Sequence, residues 1–402
     1  MILDRYAQEG MKFSARTGWE LGENALAAKL RSRRARGETV VDLTVSNPTM
    51  CGFVYNREAL LAPLAVPAAL EYEPEPFGLE HARAAVSGYY RDHGAEVPVK
   101  RICLTTSTSE AYSYLFRLLC DPGDEILIAR PSYPLFEFIA RLDAVVLREY
   151  PLRYEPGASS ESAHAWTIDF EALHAAINER TRAIIVVHPN NPTGNYSSDD
   201  ERERLEVLCA ERGLALIVDE VFLDYAVRAE MKPRSFASGE GPALCFVLSG
   251  LSKVCALPQM KLSWIAARGP AELLMDALAR LEVVADTFLS VNAPTQAALP
   301  AWLGGRSALQ EQIGTRVRAN LSTLDARVRG THADRLALEG GWTAVLRVPR
   351  EIDGQPFAEA ALDRGVLVQP GEFYGLPAGR AVVSLLSVPE AWERGLRLLP
   401  ID

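Results

Sequence analysis

At 402 residues, 48% hydrophobic and 23% charged, the chain has the length and balance of one large globular domain joined to a smaller one. Its formal charge of −10 argues against a nucleic-acid partner, since phosphate backbones select clustered Lys and Arg. No apolar run approaches the roughly 20 residues that span a bilayer, and the opening MILDRYAQEGMKFSARTGWE lacks a charged-then-apolar leader pattern, so a cytoplasmic protein without a membrane partner is expected.

In chain order, Phe13 to Gly37 reads as an extended segment and then a helix. Asn24 to Leu30 carries helical apolar spacing, and the basic run Arg31-Ser32-Arg33-Arg34-Ala35-Arg36 follows at the end where the helix dipole favours cations. A strand at Val40 to Val45 ends in Ser46-Asn47-Pro48-Thr49. From Arg101 onward strands and helices alternate. The apolar strand candidates are Ile102–Thr105, Glu125–Ala129, Val145–Tyr150, Ala183–His188, Leu214–Val218, Ala243–Leu248 and Leu262–Ala267. Helices are expected at Glu110–Cys120, Phe136–Leu142, Phe170–Asn178 and Asp199–Arg212. Nearly continuous apolar strands alternating with helices predict a mostly parallel, seven-stranded sheet covered on both faces.

Glu155 to Ala165 reads as a surface loop, and Ala271 to Leu289 as a long helix. Gly341 to Leu398 reads as the short strands and helices of a smaller α+β domain. The expected division is an N-terminal segment, 1–50, packing with the small domain, a large domain at 51–290 and a small domain at 291–402. The six cysteines (Cys51, Cys103, Cys120, Cys209, Cys245, Cys255) form no CxxC pair or Cys/His cluster, so neither a disulfide framework nor a metal site is expected.

Several strands end in polar residues, and in a doubly wound sheet these carboxyl ends line one crevice. Thr105-Thr106-Ser107-Thr108-Ser109 opens a helix, where free backbone N–H groups and hydroxyls hold a phosphate or merely cap the helix. Pro131-Ser132-Tyr133-Pro134 fixes an aromatic ring at a strand end, as a stacking face or a plain turn. In His188-Pro189-Asn190-Asn191-Pro192-Thr193-Gly194, Asn191 offers a side-chain amide to a ligand, and His188 reads as structural. Asp219 emerges from the apolar run Leu216-Ile217-Val218. A carboxylate there needs a partner, such as a ring nitrogen cation or a core cation.

The stretch Leu248 to Trp264, LSGLSKVCALPQMKLSW, sets Lys253 among small residues just after a hydrophobic strand. Partial burial lowers an amine's pKa and makes it a nucleophile that forms Schiff bases. Taken alone, the stretch also fits a loop lysine.

As an ordered set, SNPT at Ser46, YEPEPFG at Tyr72–Gly78, STS at Ser107, PSYP at Pro131, NNPTG at Asn190, DEVF at Asp219 and SGLSK ending at Lys253 resemble the class I/II pyridoxal-5′-phosphate aminotransferases of fold type I, from about residue 40 to 390. The resemblance implies a ping-pong transfer of an amino group from an amino acid to a 2-oxo acid. Lys253 would hold pyridoxal 5′-phosphate as the internal aldimine and move the proton during transfer. Asp219 would pair with the ring nitrogen, Asn191 with the phenolic oxygen, and Tyr133 would stack on the ring. Ser107, Thr108, Ser109 and Ser252 (or Ser249) would hold the phosphate. Tyr72 would reach the phosphate of the neighbouring subunit's cofactor, which implies a homodimer; Ser46 stands where the family often has a glycine whose backbone contacts the substrate carboxylate, and Asn191 would also meet the substrate.

Three positions depart from the family pattern. Lys261 stands where an arginine usually grips the phosphate, which keeps the charge but loses the bidentate fork. Phe222 stands where a tyrosine usually bonds the phenolic oxygen, which predicts a raised aldimine pKa. Val382, in Val382-Val383-Ser384, stands where an arginine usually clamps the substrate carboxylate, with Arg380 two residues earlier as a substitute or as a loop residue. The missing clamp keeps a second reading open, a carbon–sulfur lyase or another non-transaminating enzyme of the same fold. A non-catalytic regulator has no helix-turn-helix extension to support it, and a nicotinamide enzyme has no GxGxxG after an early strand.

Overall fold

The computed structural model describes residues 12–402 except 156 and 229, so the first eleven residues of the opening segment lie outside the described residues. A sheet of eight strands forms the centre of the larger part. In spatial order these are Ile102–Thr105, Ser263–Arg268, Cys245–Gly250, Ala215–Asp219, Thr181–Val187, Glu125–Arg130, Val146–Tyr154 and Trp166–Ile168. The inner strands pair parallel, while Ser263–Arg268 runs antiparallel to both neighbours.

All seven expected strands form, and an eighth corrects the count. Trp166–Ile168 adds antiparallel to the end of Val146–Tyr154 at the sheet edge. Three residues at an edge are too short to carry an apolar run, so the pattern there was indistinct. Along the central strands, successive side chains enter opposite cores: Leu216 and Val218 join Leu127, Ile184 and Trp264 on one face, while Ile217 joins Ile126, Ile185 and Phe246 on the other. That is why these strands read as continuously apolar.

Helices cover both faces. Asp199–Arg212 starts with a capping box between Ser198 and Glu201 and stops at Gly213, whose φ of 63° is the left-handed cap position. The helix Ala293–Gly304, beyond the residue-290 division, buries Ala298, Leu299 and Trp302 in the core of the large sheet.

A second core lies under the antiparallel strands Asp334–Arg335, Thr343–Arg347, Arg380–Ser384 and Gln369–Pro370, with the helices Ser307–Val328, Phe357–Asp363 and Pro389–Leu398. Val41 and Leu43 belong to this core. The strand expected over Val40 to Val45 contracts to Val41–Asp42, paired parallel with Val366–Leu367, because Val366–Leu367 offers it only two partners. Among the described residues no helix is long and apolar enough to cross a membrane.

Candidate active site

The carboxyl ends of the central strands meet a cavity of about 380 Å³ whose far wall comes from the small sheet. Asp219 is the last residue of its strand, in register with Leu248 on one side and Val187 on the other. Gly250 ends the next strand and faces Ser263, so closely that a Cβ on Gly250 would sit 2.2 Å from the Ser263 Oγ. The absent side chain leaves room for the one-turn helix Leu251–Val254 to turn Lys253 into the cavity.

The Lys253 amine lies 4.8 Å from the centre of the Trp342 ring and 5.3 Å from that of Phe222. Burial lowers its pKa to about 8, with attraction from Asp219 resisting the fall. The Lys253 carbonyl accepts a 2.6 Å hydrogen bond from the Tyr225 hydroxyl, which fixes the backbone that carries the amine. Tyr225 and Phe222 both pack edge-on against Trp342.

Burial raises the Asp219 carboxyl to about 6. Hydrogen bonds from the Val221 N–H and the Tyr112 hydroxyl, each 3.1 Å, and the nearby Lys253 hold it below where burial alone would put it. His188 is a different case. Burial drops its pKa to about 3, Nδ1 accepts from the Ser197 N–H, and the ring packs against Tyr196 and Phe236, as a neutral structural residue would.

Of the residues singled out in the sequence, Ser46, Thr108, Tyr133, Asn191, Asp219, Phe222, Ser252 and Lys253 line this one cavity. Ser107 is engaged as the helix N-cap, its hydroxyl accepting from the Glu110 N–H, and Ser109 lines a neighbouring surface hollow. Ser249 is fully buried beneath the sheet end. Lys261 is exposed, in a left-handed turn outside the cavity wall. Tyr72 is 75% exposed on the surface. Arg380 also stays outside the cavity wall, with its guanidinium bonded to the Gly379 carbonyl, and Val382 is buried among Trp166, Leu336, Val345 and Tyr374.

Sequence reasoning missed Tyr112, Tyr225, Trp342, Gln369 and Tyr374. For Tyr112 a signal was present, because it lies one helical turn after Thr108 on the same helix. Tyr225 follows the DEVF run by three residues, while Trp342, Gln369 and Tyr374 come from segments without a motif.

The lining suits pyridoxal phosphate. It combines one half-buried amine of depressed pKa, one buried carboxylate able to face a ring nitrogen, the hydroxyls of Thr108 and Ser252, and an Asn191 amide oxygen that is buried without a partner among the described residues.

Comparison with known proteins agrees. An alanine aminotransferase of Mycobacterium bovis is 29% identical over 284 residues, 69% of this chain and 63% of that protein. The chain thus spans slightly under two thirds of this relative's length. An S-alkyl-thiohydroximate lyase of Arabidopsis thaliana, SUR1, is 29% identical over 233 residues, 56% of this chain and 48% of that protein. The solved structure of an alanine aminotransferase from Pyrococcus furiosus superposes with a TM-score of 0.85 over 96% of this chain and 98% of its own, at 23% identity, a likeness of fold. The family model "Aminotransferase class I and II" matches residues 68–390, so the chain belongs to the class I and II aminotransferases, whose cofactor is pyridoxal 5′-phosphate.

Proposed function

We propose that the protein is an aminotransferase that moves an amino group from an amino acid to a 2-oxo acid in two half-reactions through the same cavity. The observation that carries the reading is Lys253, an amine brought down to about pH 8 in the same cavity as the buried Asp219. When bound, pyridoxal phosphate supplies an electron sink for bonds at the substrate α-carbon. Lys253 Nζ would hold the cofactor and would serve as the base that accepts the proton from that α-carbon. Asp219, held by Tyr112 and Val221, would place its negative charge at the ring nitrogen. Of the residues on the cavity wall, Asn191 would bond the phenolic oxygen, Tyr133 would cover the ring, Thr108 and Ser252 would hold the phosphate, and Ser46 would meet the substrate.

The active unit is proposed to be a cytoplasmic homodimer. Support comes from exposed apolar residues on one stretch, Met50, Val54, Leu70 and Tyr72, and from six cysteines that are all free. Light scattering at micromolar concentration tests the dimer; a monomer removes Tyr72 from the site.

The test of the activity is the absorbance spectrum of the purified protein, before and after single L-amino acids. A visible band that is lost with an amino acid and restored by a 2-oxo acid supports transfer. The second reading, a carbon–sulfur lyase, is favoured by the likeness to SUR1 and by Val382. Release of ammonia and pyruvate from cysteine or cystathionine without an oxo acid would establish it instead.

A further inference from the structure

Lys253 and Asp219, both given to the cofactor in the proposed reading, are the only amine and carboxylate among the described residues that line the cavity. The wall left for substrate is neutral. Gln369 and Tyr374 stand on it, and Tyr374 donates its hydroxyl hydrogen bond to the Gln369 amide oxygen. That bond fixes the orientation of the amide and leaves its NH₂ as a donor that makes no hydrogen bond among the described residues. Trp342, on the same wall, carries a buried indole N–H with no partner among the described residues.

Gln369 is also the cross-strand partner of Val382, so the neutral amide sits directly beside the apolar side chain. Arg380 is turned away to Gly379. Two neutral donors therefore await an acceptor oxygen where, among the described residues of the cavity wall, no cation besides Lys253 waits for a negative charge. A carboxylate entering here loses hydration without gaining an ion pair, whereas an amide carbonyl loses less and satisfies the same donors.

From this we propose that Gln369, with Trp342, is a specificity-determining residue that reads the substrate's end group through neutral hydrogen bonds. The site then accepts amino-acid amides alongside free amino acids, with no charge-based preference for the acid. The proposal rests on the transaminase reading for its substrate class, but the binding it describes does not need turnover.

The test compares matched pairs on the cofactor-loaded protein. Propionate and propionamide are titrated as unreactive probes by thermal shift, and alanine and alaninamide are followed by loss of the visible band. The expected result is affinities within about tenfold for acid and amide in both pairs, a loss for both in Gln369→Leu, and a gain of at least about tenfold for the acid alone in Val382→Arg. If Val382→Arg fails to fold because it charges an apolar cluster, Gln369→Lys, at a half-buried position, makes the same comparison.

A preference of the unaltered protein for propionate over propionamide beyond tenfold, or Gln369→Leu binding both probes unchanged, overturns the proposal. If the probes bind as expected but neither alanine nor alaninamide changes the band, the neutral site stands and the transaminase reading falls.

Discussion

The phenol of Tyr112 donates a 3.1 Å hydrogen bond to Asp219, tying the helix Thr108–Leu119 to the carboxylate at the end of the Ala215–Asp219 strand. Helix and strand end thereby share one polar contact inside an otherwise apolar interface. Such a contact holds the carboxylate in place, and its burial carries a stability cost that a bound cofactor offsets.

Asp219→Asn measures that cost. In the cofactor-free protein the folded pKa of about 6 lies above the ordinary 3.8, so folding favours the protonated acid. The carboxyl's contribution is whole below pH 3.8 and is lost as pH rises through 6. The substitution should therefore raise cofactor-free stability by about 3 kcal/mol at pH 8 and roughly half that at pH 5, read by urea unfolding. Amino transfer should fall by about 10²–10³-fold, the usual loss for a preorganised electrostatic contact. Equal stability of both proteins at pH 8 would contradict the burial cost.

Lys253→Ala should keep the far-ultraviolet spectrum and lose borohydride-trappable cofactor. It should also lose at least about 10²–10⁴-fold in turnover, the range for an acid–base group alone. Because the free amine titrates near 8, the rate at which the cofactor-free protein captures pyridoxal phosphate should climb with pH up to about 8 and level off above. A rate still rising steeply at pH 10 would mean an ordinary lysine.

Gly250→Ala drives a Cβ to 2.2 Å from the Ser263 Oγ and 3.0 Å from its Cα, the latter a backbone atom that cannot swing aside. The strand ends must separate, at about 1–3 kcal/mol. The expected signature is a lower urea midpoint together with weaker retention of the visible band, since the same strand end carries Lys253.

Glu206 joins Arg202 at 3.0 Å and Arg268 at 2.5 Å, all three almost fully buried between the helix Asp199–Arg212 and the sheet. Glu206→Gln leaves two buried cations without their shared carboxylate and should cost about 3–5 kcal/mol. Denaturation would show it far from the active site, and a change under 1 kcal/mol would mean that water reaches the arginines.

The ordered motifs from Ser46 to Lys253 were legible because each strand end carries its own local signal, small polar residues directly after an apolar run. Asp219, Asn191, Tyr133 and Lys253 needed no knowledge of their neighbours to be singled out. The cavity's other wall was not legible. Trp342, Gln369 and Tyr374 belong to short segments of the small sheet, and they face the lysine only because two cores pack with their polar edges together. Lys261 and Arg380 show the same limit from the other side, since both are cations at suggestive spacings that the fold keeps off the cavity wall, Lys261 exposed and Arg380 half-buried on the Gly379 carbonyl. Sequence alone determined the mostly parallel sheet and the family and singled out strand-end residues that share one cavity, because periodicity and strand-end chemistry are local properties. The make-up of the cavity's second wall was decided only by tertiary structure, because it depends on which side chains from distant segments are turned into one desolvated space.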